Sequence, residues 1–320
     1  MEEHYDIRFF EDPLSIEDLM GQPFPDNWIQ MKPADSAILY SFGAAEFLRQ
    51  KLVLKKYHFE LIQCNCIVPL SFRYSINGDR LFILFVLEGE IGFSTESGAE
   101  ITKAKENSFY PSHNSQGTYH VSIPADSTVS TLVVSLDPKW AKDIVRPYPE
   151  LREALTEMLT SERQFSIMPR CRIDTDLKEI LLALFEVNDQ SRGIVKLQLR
   201  EKIAFALSHY YKKLLETGWV AIYKIRLYME KHYREPLDMN TLAEMGSLTE
   251  GAFQKKFKLI YAIKPYDYII KLRMIEASRL ISQMGMPMKE VYLLVGYRDL
   301  GNFRKAYKAS MNSVSSVDRI

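Results

Sequence analysis

The chain has 320 residues, 47% of them apolar, enough for two domains that each bury a core. Its 41 basic and 41 acidic side chains cancel, but residues 219–320 hold 17 basic against 10 acidic groups, a net +7, and the rest carries the compensating −7, so the C-terminal end is the one expected to meet a polyanion. No run approaches the ~18 apolar residues of a membrane span, and residues 1–10 lack the apolar stretch of a secretory leader, so a cytoplasmic protein with no membrane partner is expected.

Residues 1–35 contain Pro13, Pro23, Pro25 and Pro33 and are expected to be irregular. From about residue 40 to residue 136 the pattern is that of short strands. Apolar runs at 59–68, 81–87, 91–95, 108–110, 118–123 and 129–136 are separated by turn signals at Asn77-Gly78-Asp79, Ser97-Gly98 and Pro124-Ala125-Asp126. Many short strands at near-regular spacing predict a sandwich or barrel. Cys64, Cys66 and Cys171 make neither a disulfide framework nor a zinc set and are expected as reduced core thiols.

Helical spacing takes over after Asp137, with helices predicted over 138–145, 148–160, 175–188 and 195–215. The last of these carries Leu199, Ile203, Leu207 and Leu214 as a stripe, which packs on its own domain or forms the seam of a homodimer. A domain boundary is expected at Thr217-Gly218, dividing residues 1–218 from 219–320.

The tail is read as helices over 220–233, 239–245, 250–258, 266–282, 288–295 and 300–308. Thr249 and Asp299 stand where an N-cap side chain can satisfy a free N–H of the first helical turn, and Asp238 precedes the helix over 239–245. The segment Gly246-Ser247-Leu248 and Gly296 supply tight turns, Gly296 by tolerating positive φ. Phe253 and Phe257 are four apart and face inward, and Phe303 and Tyr307 repeat that spacing. Two short-helix, turn, short-helix units joined by one long helix form a double helix-turn-helix.

These residues resemble the DNA-binding domain of the AraC/XylS family of transcription regulators. The resemblance is carried by Leu242-Ala243, Thr249, Phe253, Phe257-Lys258, Tyr268, Arg273, Ala277, Leu280-Ile281, Glu290-Val291, Gly296-Tyr297, Asp299, Phe303, Tyr307-Lys308 and Arg319. Departures are Ala262 and Tyr292, where the family has glycine and a small residue, and Asn312, Ser315 and Asp318 near the end. The resemblance implies that each second helix reads DNA. In the first unit the outward set is Thr249, Glu250, Gly251, Gln254, Lys255 and Lys258, with Gln254 suited to adenine, Lys255 to guanine or phosphate, and Lys256 and Lys258 to phosphate. In the second it is Leu300, Gly301, Asn302, Arg304, Lys305 and Lys308, with Leu300 placed to touch a thymine methyl.

By the same resemblance, the strand-rich half is expected to be a cupin-like sensor and dimerisation module that holds a small-molecule effector, and RNA polymerase is an expected partner of the whole. The fold class is therefore α+β: a β-rich cupin-like barrel or sandwich with flanking helices, then an all-α double helix-turn-helix domain. Candidate pocket residues are Tyr57, His58, Phe72, Tyr74, Phe109, Tyr110, His113, Tyr119 and His120. No His-x-His set occurs and His113 and His120 lie seven apart, so no metal and no cofactor are expected. Without a Ser/His/Asp constellation or a phosphate-cradling glycine loop, the protein is not expected to be an enzyme. The alternative is a cupin-like small-molecule enzyme whose helical tail is an interaction module.

Overall fold

The computed structural model describes all residues except 1–3, 97–99, 161–164, 189–190, 262 and 318–320, and it leaves the side chains of 100, 282–283 and 311–317 undescribed. Contacts between Cα atoms divide the chain into two units, Met1–Lys213 and Leu214–Ile320.

The first unit contains the strands β1 (Tyr5–Phe9), β2 (Ser15–Asp18), β3 (Ser36–Ser41), β4 (Ala45–Val53), β5 (Tyr57–Cys66), β6 (Leu70–Ile76), β7 (Arg80–Glu88), β8 (Glu90–Thr95), β9 (Glu100–Lys105), β10 (Ser108–Asn114), β11 (Gly117–Ile123) and β12 (Ser127–Leu136). Helices α1 (Pro138–Ile144) and α2 (Pro149–Thr160), short strands β13 (Phe165–Ile167) and β14 (Cys171–Arg172), and helices α3 (Thr175–Phe185) and α4 (Arg192–Thr217) follow. All pairings are antiparallel. One sheet runs β1-β6-β11-β8-β9. The other runs β13-β10-β7-β12-β5-β4-β3-β2, with β14 also against β10.

Side chains alternate across a strand, and here both faces of the larger sheet are covered. On β5, Ile62, Cys64 and Cys66 enter a core shared with Phe72, Ile91 and Val121 of the smaller sheet. On the opposite face Phe85 stacks on Phe109, and Phe109 meets Tyr210 of α4 at 5.5 Å between ring centres. Two-sided burial explains why β5, β7 and β12 read as continuous apolar runs. All three cysteines are buried free thiols.

The expectation of an irregular first 35 residues is corrected by β1 and β2. Tyr5 to Phe9 pair in register with Ile76 to Phe72 on β6. The alternating Tyr5, Ile7 and Phe9 pack into the hydrophobic core, and the four prolines all fall outside strands, where a missing N–H costs no ladder bond.

The second unit comprises α5 (Trp219–His232), α6 (Met239–Met245), α7 (Glu250–Tyr261), α8 (Pro265–Ser278) with a π-helical turn at Arg279–Gln283, α9 (Met288–Leu294) and α10 (Leu300–Val317). It has two small cores. Ile222, Ile225, Met229, Leu242, Phe253, Phe257 and Ile269 make the first. Met274, Ala277, Leu280, Val291, Val295, Phe303 and Tyr307 make the second. Helix α8 therefore lends Ile269 to one core and Met274 and Ala277 to the other, and it ends four residues earlier than the sequence reading because its last turn widens. Ile275 of α8 is exposed.

A candidate nucleic-acid interface

Each helix-turn-helix is built by the same C-terminal turn. At the end of α6, the Ser247 N–H donates to the Glu244 carbonyl at 2.9 Å and the Leu248 N–H to the Ala243 carbonyl at 3.0 Å. At the end of α9, the Gly296 N–H donates to Leu293 O at 3.1 Å and Tyr297 N–H to Tyr292 O at 2.9 Å. This pair of bonds is the Schellman arrangement, which needs its middle residue in the left-handed region. Gly296 sits there with φ +87°, and in the first unit Ser247 does, at φ +53°. Gly246, the residue that composition favours, instead has φ −100°. The sequence placed the turn correctly but could not choose between the two adjacent small residues.

Capping then starts the reading helices. The Ala252 N–H donates to Thr249 Oγ1 at 3.3 Å, and the Asn302 N–H to Asp299 Oδ1 at 2.7 Å. Fully buried Phe253, Phe257 and Phe303 lock the rotation of α7 and α10. Burying such a ring is worth roughly 1.5–3 kcal/mol, so the opposite face of each helix is fixed outward.

On α7 that face exposes Thr249, Gly251, Lys255 and Lys258, and half-buries Glu250 and Gln254. Gln254 Nε2 donates to Glu250 Oε1 at 2.7 Å, a contact the sequence reading missed although an (i, i+4) Glu/Gln pair signals it. The amide keeps its second N–H and its oxygen, which is the donor–acceptor pair that adenine presents to. Lys256, expected at a phosphate, is occupied: its Nζ donates to the Thr217 carbonyl at 2.7 Å, at the end of α4.

On α10 the exposed set is Gly301, Asn302, Arg304, Lys305 and Lys308. Leu300 is half-buried and packs against the second core. Ala262, Asp318 and Arg319 lie outside the described residues, and so do the side chains of Asn312 and Ser315.

Residues that carry the resemblance along α8 work inside the unit. Arg273 Nε donates to Tyr233 O at 2.7 Å and its Nη2 to Glu235 O at 2.9 Å, while the guanidinium lies 5.5 Å from the Tyr297 ring centre. Tyr268 donates to Glu230, which Arg226 also reaches at 2.6 Å. Burial, then the Glu230 carboxylate, drives the Tyr268 phenol upward from its usual value. These contacts tie α8 to α5 and to the segment that follows it.

Two capped, outward-facing reading helices on one spacer define a double helix-turn-helix DNA-binding domain. Residues 242–316 match the family model described as a helix-turn-helix domain. Residues 242–316 thus form an AraC-type helix-turn-helix domain. It is 26% identical over 168 residues to the HTH-type transcriptional regulator GbdR of Pseudomonas aeruginosa, a match spanning 49% of this chain and 46% of GbdR, just under half of that relative. Among solved structures, the C-terminal domain of the response regulator AraT from Geobacillus stearothermophilus is 25% identical, covering 29% of this chain and 77% of that one, with a TM-score of 0.28. ToxT from Vibrio cholerae is 12% identical, covering 80% of this chain and 94% of that one, with a TM-score of 0.28.

Of the nine candidate pocket residues, Phe72, Tyr74 and Tyr110 line a cavity between the two sheets. The others serve elsewhere. Tyr57 donates to Lys196 O at 2.7 Å, and His58 stacks on His4 at 3.4 Å. His113 and His120 stand on strands of different sheets, and among the described residues no group of three His, Cys, Asp or Glu could hold a metal ion. No helix among those residues is long and apolar enough to cross a membrane.

Proposed function

We propose that this chain is a cytoplasmic, sequence-specific transcription regulator that binds operator DNA through α7 and α10 and is controlled by a small-molecule effector in a cupin-like N-terminal unit. The observation that carries the reading is the repetition of one turn, one cap and one aromatic lock in both units, on either side of the shared α8. Such construction orients two helices for major grooves about one helical turn, ~34 Å, apart. Gln254 and Lys255 read bases in the first groove. Arg304 and Lys305 anchor the second, with Lys258 and Lys308 on phosphates. Gly251 and Gly301 offer no side chain, so the second unit adds more affinity than sequence choice.

RNA polymerase is the expected downstream partner. The stripe of Leu199, Ile203, Leu207 and Leu214 is buried within the chain, so a homodimer would use exposed apolar residues such as Leu197 of α4. The test is selection of genomic fragments by the purified chain: recovery of a few fragments sharing a motif is the expected result, and uniform recovery would overturn sequence-specific control.

A further inference from the structure

The β-rich unit holds a cavity of about 80 Å³ between its two sheets, walled by Tyr5, Ile62, Phe72, Leu84 and Val133 among others. No charged side chain lies among its described lining residues. The nearby buried Glu60 is already engaged, ion-paired with Arg49 and accepting a hydrogen bond from the Tyr5 hydroxyl. Arg170 donates to Thr102 and covers the Tyr110 ring at 5.5 Å while itself exposed to solvent.

Polarity inside the wall is sparse and neutral. Tyr74 accepts a hydrogen bond from Asn114 Nδ2 at 3.2 Å, and among the described residues no acceptor takes the Tyr74 hydroxyl proton. Ser112 stands on the same face of β10 as Asn114, beside the same space. A donor without an acceptor in an apolar cavity favours a ligand that supplies one oxygen. A carboxylate placed there would lose its hydration with no lining cation to replace it.

We infer that the cavity takes a compact, uncharged aromatic molecule bearing one hydroxyl, a monocyclic phenol in chemical class; this rests on the effector reading above. The ring fills the space between Phe72, Leu84 and Val133, and its oxygen accepts from Tyr74. Size sets the upper limit. An apolar cavity of ~150 Å³ accepts benzene, so at about 80 Å³ one ring is the ceiling and a second ring is rejected.

The experiment is calorimetric titration and thermal unfolding of the full chain with four probes: phenol, toluene, benzoate and 2-naphthol. Phenol is expected to bind and to raise Tm with concentration, toluene to bind about tenfold or more weakly, and benzoate and 2-naphthol not to bind. Tyr74→Phe, which keeps the ring, should bring phenol to the affinity of toluene, and Val133→Phe, which fills the space, should abolish both. Binding of benzoate or 2-naphthol as tight as phenol, binding of no probe, or phenol binding unchanged in both variants overturns the ligand class. Operator binding is measured on the same preparations. Its persistence confines such a failure to the ligand class, whereas its absence overturns the regulator reading itself.

Discussion

Replacing the two turn residues tests the helix-turn-helix geometry with effects of opposite sign. Gly296→Ala places a Cβ 2.3 Å from Arg234 O and 2.8 Å from Arg234 C. Both are backbone atoms, so the loop after α5 must move. Alanine in the left-handed region costs ~1–2 kcal/mol, and a forced backbone shift adds ~1–3 kcal/mol, for a total of about 3 kcal/mol. Ser247→Gly relieves the same left-handed strain at φ +53°. The gain of ~1–2 kcal/mol is reduced by ~0.4–1 kcal/mol through the greater freedom of unfolded glycine, leaving about 0.5–1 kcal/mol of stabilisation. The assay is hydrogen exchange of the full chain, following amides between residues 242 and 308. Protection should fall sharply in Gly296→Ala and rise in Ser247→Gly. A Gly296→Ala variant with unchanged protection, or a Ser247→Gly variant that exchanges faster, would refute the reasoning.

Further substitutions separate base reading, phosphate contact, titration and assembly. Gln254→Ala should relax preference at one operator position by ~1–3 kcal/mol, measured against a panel of single-base operator variants; an unaltered panel removes Gln254 from base reading. Lys305→Ala should weaken binding to all sequences and reduce the salt slope by ~0.9, and an unchanged slope excludes a phosphate contact. His4 is held down to a pKa of about 3, first by burial and then by the charges of His58 and Arg80. Because the unfolded histidine binds its proton near pH 6.5, the unfolded state carries more protons between pH 6.5 and 3, and stability must fall as pH drops through that window. The slope is at most about 1.4 kcal/mol per pH unit for one group. Burial lowers His113 as well, so His4→Asn should flatten the profile in part, and an identical profile counts against the assignment. Leu197→Glu should convert the proposed dimer to monomer in sedimentation; an unchanged mass moves the interface off this face.

The C-terminal unit was legible because its signals are local. N-cap side chains and aromatic pairs four apart act within a turn or two, and 239–245 was read to the residue. What escaped was decided by contacts distant in sequence. Strand β1 exists because β6 offers an open edge, which its own residues do not announce. Leu300 is half-buried because it packs against the core that Val291 and Val295 enter. Lys256 looked like a free cation until the end of α4 presented it a carbonyl. The cavity draws on strands of both sheets; three of the nine aromatic or imidazole candidates line it, and aliphatic walls such as Ile62 and Val133 carry no signal at all.

The central claim is that one chain presents two reading helices to one side of a duplex. Hydroxyl-radical footprinting of the full chain on a selected operator measures this directly. Two protected patches about 10 base pairs apart on the same face are predicted, with the patch assigned to α10 fading in Lys305→Ala. A lone patch, or two on opposite faces, would contradict the account.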